Sequence, residues 1–95
     1  MAEDNSMFIG IKPFMNYVTG VVMQFTAKGA NDVTIKARGK FIYRAVDVAE
    51  VVRKRFLQDQ VDIRGIKIDS EEFKNKEGKQ VRVSSIEITL AKKGL

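Results

Sequence analysis

This chain of 95 residues has no cysteine, no histidine, no tryptophan and a single proline. Without cysteine there is no disulfide framework and no thiolate metal site. Without histidine as well, the usual nucleophile, the usual base near neutral pH and the usual transition-metal ligands are gone. That excludes most hydrolytic, redox and zinc chemistry and leaves carboxylate pairs, lysine or tyrosine for any catalysis. Enzyme signatures are missing too. Gly29 and Gly39-Lys40 do not form a P-loop, because the spacing and the following Ser/Thr are wrong. Glu71 and Glu72, adjacent on a predicted strand, point to opposite faces and cannot act as a pair. No apolar run approaches the ~20 residues needed to cross a bilayer, and the acidic opening Met1-Ala2-Glu3-Asp4-Asn5 is not patterned as a signal peptide. The expectation is therefore no enzyme, no cofactor, no metal, no membrane association and a cytoplasmic address.

What is present is positive charge. Seventeen Lys and Arg against 12 Asp and Glu give a net charge of +5, which points to a polyanionic partner. Hydrophobic content of 44% with 31% charged residues reads as globular, and the length suits one small domain, 1–95. Residues 1–5 are expected to form a frayed tail.

Met7-Phe8-Ile9 is a candidate first strand, closed by Gly10. Pro13 fits the first position of a helix, where its missing N–H costs nothing. Phe14, Tyr17, Val18, Val21, Val22 and Phe25 then repeat at three- and four-residue spacing as one apolar stripe. Gly20 inside that stripe costs ~1 kcal/mol relative to Ala, so a close neighbour is expected there, and Gly29 is expected to end the helix. A second strand, roughly Asp32 to Ala37, alternates Val33, Ile35 and Ala37 inward with Thr34 and Lys36 outward. A second helix, from about Lys40 to Leu57, has Ile42, Ala45, Val46, Ala49, Val52 and Phe56 as its core stripe. A weaker strip of Phe41, Val48 and Val51 lies on another side, either as a subunit interface or as scattered surface valines. Glu50 and Lys54 form an i,i+4 surface pair.

The stretch Ile35-Lys36-Ala37-Arg38-Gly39-Lys40-Phe41-Ile42-Tyr43-Arg44 carries four positive charges and no acid. It sits where a strand ends at a glycine and a helix begins. Free backbone N–H groups, the helix dipole and basic side chains coincide there, as a phosphate site requires; a solvated lysine-rich loop is the alternative. If the first two strands run parallel, Gly10-Ile11-Lys12-Pro13 leaves the sheet at the same edge, and Lys12 joins Arg38, Gly39, Lys40 and Arg44 in one patch.

The last third reads as a long hairpin. Val61 and Ile63 alternate in phase, Gly65 breaks the count, and Ile66 and Ile68 resume on the next parity, as at a bulge. A turn at Lys76-Glu77-Gly78 pairs Asn75 with Lys79 and hence Ile68 with Ile86 and Ile66 with Ile88. Beyond Ile68 and Ile86 the ribbon changes face: Phe73, Val81 and Val83 share one side, Ser70, Glu72, Lys74, Gln80, Arg82 and Ser84 the other. Residues 69–85 thus no longer cover a core, and at ~3.3 Å per residue the run from Asp69 to Lys76 projects ~25 Å. The tip of this arm carries Lys74, Lys76, Lys79 and Arg82 but also Glu71, Glu72 and Glu77, a net charge of only +1, so charge alone does not single it out. A two-stranded ribbon with basic side chains is nevertheless suited to a DNA groove; a solvated hairpin is the alternative. Phe8, Phe14, Phe25 and Phe56 are at core spacing, which leaves Tyr43 and Phe73 as the plausible exposed aromatics for base stacking.

Several of these motifs, in order, resemble one family. Ile9-Gly10-x-Lys12-Pro13-x-Met15-Asn16-Tyr17-Val18 is similar to the opening motif of the Alba family of archaeal chromatin proteins. Ile35-Lys36-Ala37-Arg38-Gly39-Lys40, Ala45-Val46-Asp47, Val52-Arg53-x-Arg55-Phe56 and Val83-Ser84-x-Ile86-Glu87-Ile88 continue the likeness. The resemblance implies an α/β (α+β sandwich) fold of order β-α-β-α-β-β: a four-stranded mixed sheet with two helices and a long protruding C-terminal β-hairpin. It is similar in this to the C-terminal domain of translation initiation factor three. It further implies homodimers that coat double-stranded DNA on the chromosome, the nucleoid, and also bind RNA. Lys12 and Arg38 to Arg44 would sit over phosphates, arms carrying Arg82 would lie along the minor groove, and Phe56 would make contacts between dimers. The family commonly has two adjacent lysines before the proline, the first a target of acetylation. Ile11 stands at that first position here, which removes that lysine and one phosphate contact per subunit. Phe41, where the family often has a small residue, is a second departure. The expectation is a dimeric, largely sequence-nonspecific chromatin protein, with an RNA-binding module as the alternative.

Overall fold

A computed structural model describes residues 5–94. The order is β1 (Ser6–Phe8), α1 (Phe14–Thr26), β2 (Asp32–Arg38), a 3-10 turn (Gly39–Phe41), α2 (Ile42–Val51), a π-helical turn (Val52–Phe56), β3 (Val61–Lys74) and β4 (Gln80–Lys92). The sheet order is β1-β2-β4-β3, with β1 parallel to β2 and the other pairs antiparallel. This is the α+β architecture of a four-stranded mixed sheet and two helices expected from the sequence. Residues 1–4 of the expected tail lie outside the described residues. Asn5 is already tied to the sheet, its carbonyl accepting from the Thr34 N–H at 2.9 Å. No helix among the described residues is long and apolar enough to cross a membrane.

Alternation in β2 buries Val33, Ile35 and Ala37 against the helices and turns Thr34 and Lys36 to the open face. Val18, Val21 and Phe25 of α1, Ala45, Val48, Ala49 and Val52 of the second helix, and Ile88 and Leu90 of β4 belong to the same core. Pro13 caps α1 instead of opening it; the helix begins at Phe14. Gly20 meets the neighbour expected there, since a Cβ built on it would lie 2.6 Å from Met7 Cε. Gly29 lies two residues beyond the α1 cap, Ala27, at φ +69°, where it lets the Ala30 N–H return to the Gln24 carbonyl.

The second helix departs from its expected orientation. Ala45, Val48, Ala49 and Val52 are its buried row, and Val46 and Phe56 are exposed. Two causes act together. Two alanines in the i, i+3, i+4, i+7 row let the helix sit close to the sheet. The wide turn at its end, where the Leu57 N–H donates to the Val52 carbonyl at 2.8 Å, then carries Phe56 off the stripe and brings Leu57 into the core. That end is clamped: Arg53 donates to both Glu50 carboxylate oxygens at 2.9 Å, Lys54 lies 3.3 Å from Glu50, and Arg53 reaches Asp62 of β3.

The hairpin keeps the register read from its pattern. Ile68 pairs with Ile86 and Ile66 with Ile88, and the bulge falls between Ile63 and Gly65. The helices rest mainly on β1, β2 and β4, so β3 is an edge strand with little above it.

Candidate nucleic-acid interface

Parallel pairing of β1 and β2 decides where the loops emerge. The register runs Ser6 with Thr34 to Phe8 with Lys36, and the Ile9 N–H extends it to the Lys36 carbonyl at 2.9 Å. Loop 10–13 and turn 39–41 therefore leave the same edge, the edge from which the arm also projects. Tyr17, buried one turn into α1, accepts hydrogen bonds from the backbone N–H groups of Gly10 (2.9 Å) and Lys12 (3.0 Å). Arg44 donates to the Gly10 carbonyl and lies 5.7 Å from the Tyr17 ring centroid. One tyrosine and one arginine thus fasten the first loop to the start of the second helix. The second loop turns at Gly39, φ +56°, and no acid occupies the first turn of the helix that follows.

The five residues expected to gather here do so, but in different roles. Lys12 and Lys40 are exposed and in no ion pair among the described residues, with the Lys40 ammonium 5.5 Å from the Phe41 ring centroid. Arg38 is exposed but held by Glu71 at the root of the arm, at 2.7 Å. Arg44 is spent on the tie to Gly10, which makes it a positioning residue. Gly39 supplies the turn. Lys36 turns to the open face, its ammonium 5.4 Å from the Phe8 ring centroid. Tyr17 and Glu71 were not legible as parts of this site. Tyr17 fits the α1 core stripe, and only its hydroxyl, placed after Gly-x-Lys-Pro, hints at more.

The arm is closed by Asn75. Its N–H donates to the Lys79 carbonyl at 2.9 Å, and its side-chain Oδ1 accepts from the N–H groups of Glu77 and Lys79 at 2.9 and 3.0 Å, with Gly78 at φ +81°. Lys74, Lys76, Lys79 and Arg82 are exposed and in no ion pair among the described residues. The arm accounts for the long axis of a body measuring 48 × 29 × 21 Å.

The expected interface strip is broken at its middle residue. Val48 is fully buried in the core, because the row that faces the sheet runs through it, and Phe41 and Val51 are half-buried against that core. Phe56 is 48% exposed instead of lying in the core stripe. Phe8, at strand spacing for a core, is 68% exposed, since it is Met7 that faces α1. A different apolar surface stands open. Ile66 and Ile68 of β3 point to the side of the sheet that carries the helices, yet are 59% and 75% exposed because the helix layer stops short of them. Val46 is exposed, and Ile42 and Ile86 line a recess with Ile68 on that side.

Comparison with known proteins places these features in a family. The Alba family model matches residues 5–70. The chain is 59% identical over 93 residues to DNA/RNA-binding protein Alba 1 of Archaeoglobus fulgidus, covering 98% of this chain and 100% of that protein. It is 64% identical over 88 residues to DNA/RNA-binding protein Alba of Nanoarchaeum equitans, covering 92% and 97%. The solved structure of Alba from Thermoplasma volcanium superposes with a TM-score of 0.82 at 49% identity, covering 92% of this chain and 99% of that one.

Proposed function

The chain belongs to the Alba family, and on that premise we propose that it binds nucleic acid as a homodimer, coating duplex DNA without strong sequence preference and without catalysis. The observation that carries this reading is the shared edge: parallel β1 and β2 deliver Lys12 and Lys40, both exposed, to the place where the arm with its exposed lysines and Arg82 leaves the body. Phosphates on the loops and the arm in a groove are then reached by one face of the molecule. Ile66, Ile68 and Val46, beside the recess of Ile42 and Ile86, are the surface we assign to the partner subunit, since a monomer leaves them in water. In a cell this activity places the protein on the chromosome. Structured RNA is the second reading, favoured by the names of the relatives, which carry RNA as well as DNA.

The test is a binding titration across salt with duplex DNA and structured RNA, alongside a solution mass. About eight phosphate contacts per dimer, from Lys12, Lys40 and two arm cations of each subunit, give a log K against log salt slope of about −7. Replacing Lys12 and Lys40 by alanine in each subunit removes about four contacts and makes the slope shallower by about 3.6. A salt-insensitive affinity, or a slope untouched by the double substitution, overturns the reading. Competition between the two nucleic acids at fixed salt ranks the targets.

A further inference from the structure

A cleft of about 700 Å³ lies on the open face of the sheet at the root of the arm, the side away from the helices and from Ile66 and Ile68. Phe8, Phe41 and Phe73, with Val83, form its apolar walls. Phe8 and Phe73 are 68% and 43% exposed. The volume falls within the ~300–1,000 Å³ of small-ligand sites. Two exposed aromatic rings on one cleft are hard to account for by packing, because burying them would be worth more than leaving them in water.

The charge pattern narrows the occupant. Inside, the cleft is balanced: Arg38 is paired with Glu71 at 2.7 Å, and Lys36, beside the Phe8 ring, stands opposite Glu87 in the strand register. Outside, the loop edge is cationic and unbalanced, through Lys12 and Lys40. Arg38 and Gly39 belong to both regions, so the cleft is continuous with the loops. A neutral, aromatic interior beside a cationic rim matches a nucleotide, with a flat uncharged base and a charged phosphate. The Ser85 hydroxyl and the carboxylates of Glu71 and Glu87 offer hydrogen-bond partners for the edge of a base. A base stacked inside a duplex cannot enter, whereas one in a single strand can.

We propose that this cleft is a stacking site for an unpaired base of a single strand whose neighbouring phosphates lie on the basic loops. The proposal rests on the nucleic-acid-binding reading above and adds to it a site that separates single strands from duplex.

The experiment measures fluorescence anisotropy at fixed salt with a 12-mer of deoxythymidine, the same length of uridine, an abasic sugar-phosphate 12-mer and a duplex. The proteins are the wild type, Phe8→Ala, Phe73→Ala and Phe8→Trp. The wild type is expected to bind the base-bearing strands more tightly than the abasic one. Phe8→Ala is expected to lose roughly tenfold for the base-bearing strands, in keeping with alanine scans of stacking sites, while its duplex and abasic affinities change by less than about twofold. Phe8→Trp restores single-strand affinity, and its fluorescence is quenched by base-bearing strands only. An unchanged gap between base-bearing and abasic strands in both alanine variants overturns the proposal. So does an equal loss for all four ligands, or a change of solution mass on Phe8→Ala, which would assign the cleft to another copy of the chain. A wild type that binds the duplex with the expected salt slope but ignores bases defeats this inference alone. A wild type that binds none of the ligands defeats the function it rests on.

Discussion

Tyr17 holds its hydroxyl where the backbone N–H groups of Gly10 and Lys12 converge, and that geometry sets its weight in the molecule. Its ring is core, yet its oxygen shapes the loop that presents Lys12. Tyr17→Phe keeps the ring and strands two donors, so a stability loss of about 1–2 kcal/mol is expected. Faster amide exchange at Gly10 and Lys12 and a weaker duplex affinity should accompany it; exchange measured by NMR checks this. Glu50 sets a second expectation at this scale. Burial pushes its carboxyl up, but hydrogen bonds from Arg53 and Lys54, with their charges, outweigh that and hold it below the usual 4.5. A carboxyl depressed in the folded state stabilises above its unfolded value and ceases to do so as pH falls through the folded one. The wild type should therefore be more stable than Glu50→Gln at pH 7, by less than ~1 kcal/mol for so open a cluster. That margin should shrink from about pH 4.5 downward and vanish at lower pH, as paired thermal melts would show.

At the scale of elements, the ion pair between Arg38 and Glu71 joins the basic turn to the arm, and it competes with phosphate for the same guanidinium. Glu71→Gln frees one guanidinium in each subunit, so it should raise duplex affinity by about two- to fivefold and steepen the salt slope by about 1.8 per dimer, which titrations at several salt concentrations will read. Elements also show where sequence is informative. The hairpin register, the bulge before Gly65 and the alternation of β2 were all legible, because a period of two admits only one face at a time. The second helix was not. Apolar residues surround it on several sides, so periodicity alone left its rotation open, and the wide turn at Val52–Phe56 broke the period that would have placed Phe56. The cationic loops were readable as charge next to glycine. Which charges remain available was not, since the ties of Arg38 to Glu71 and Arg44 to Gly10 span about 33 positions each. Ile66 and Ile68 were read as core because their parity is right; their exposure follows from β3 lying at the sheet edge, a property of strand order.

For the whole molecule, the open face of β3 is the feature on which assembly turns. Ile66→Asp combined with Ile68→Asp should leave the fold intact, since both side chains stand mostly in solvent. The solution mass should fall from a dimer to the 10.7 kDa of one chain, and the salt slope should fall to about half. Light scattering and the titration above check the two halves of that statement. The strand order carries a further consequence, for biosynthesis. β4, made after every other strand, is the one inserted between β2 and β3. A nascent chain ending before Gln80 holds β1, β2 and both helices but no bridge to β3, so its sheet cannot close. Folding must therefore wait until the segment through Lys92 has emerged from the ribosome, and the apolar faces of the earlier elements stay open to chaperones until then.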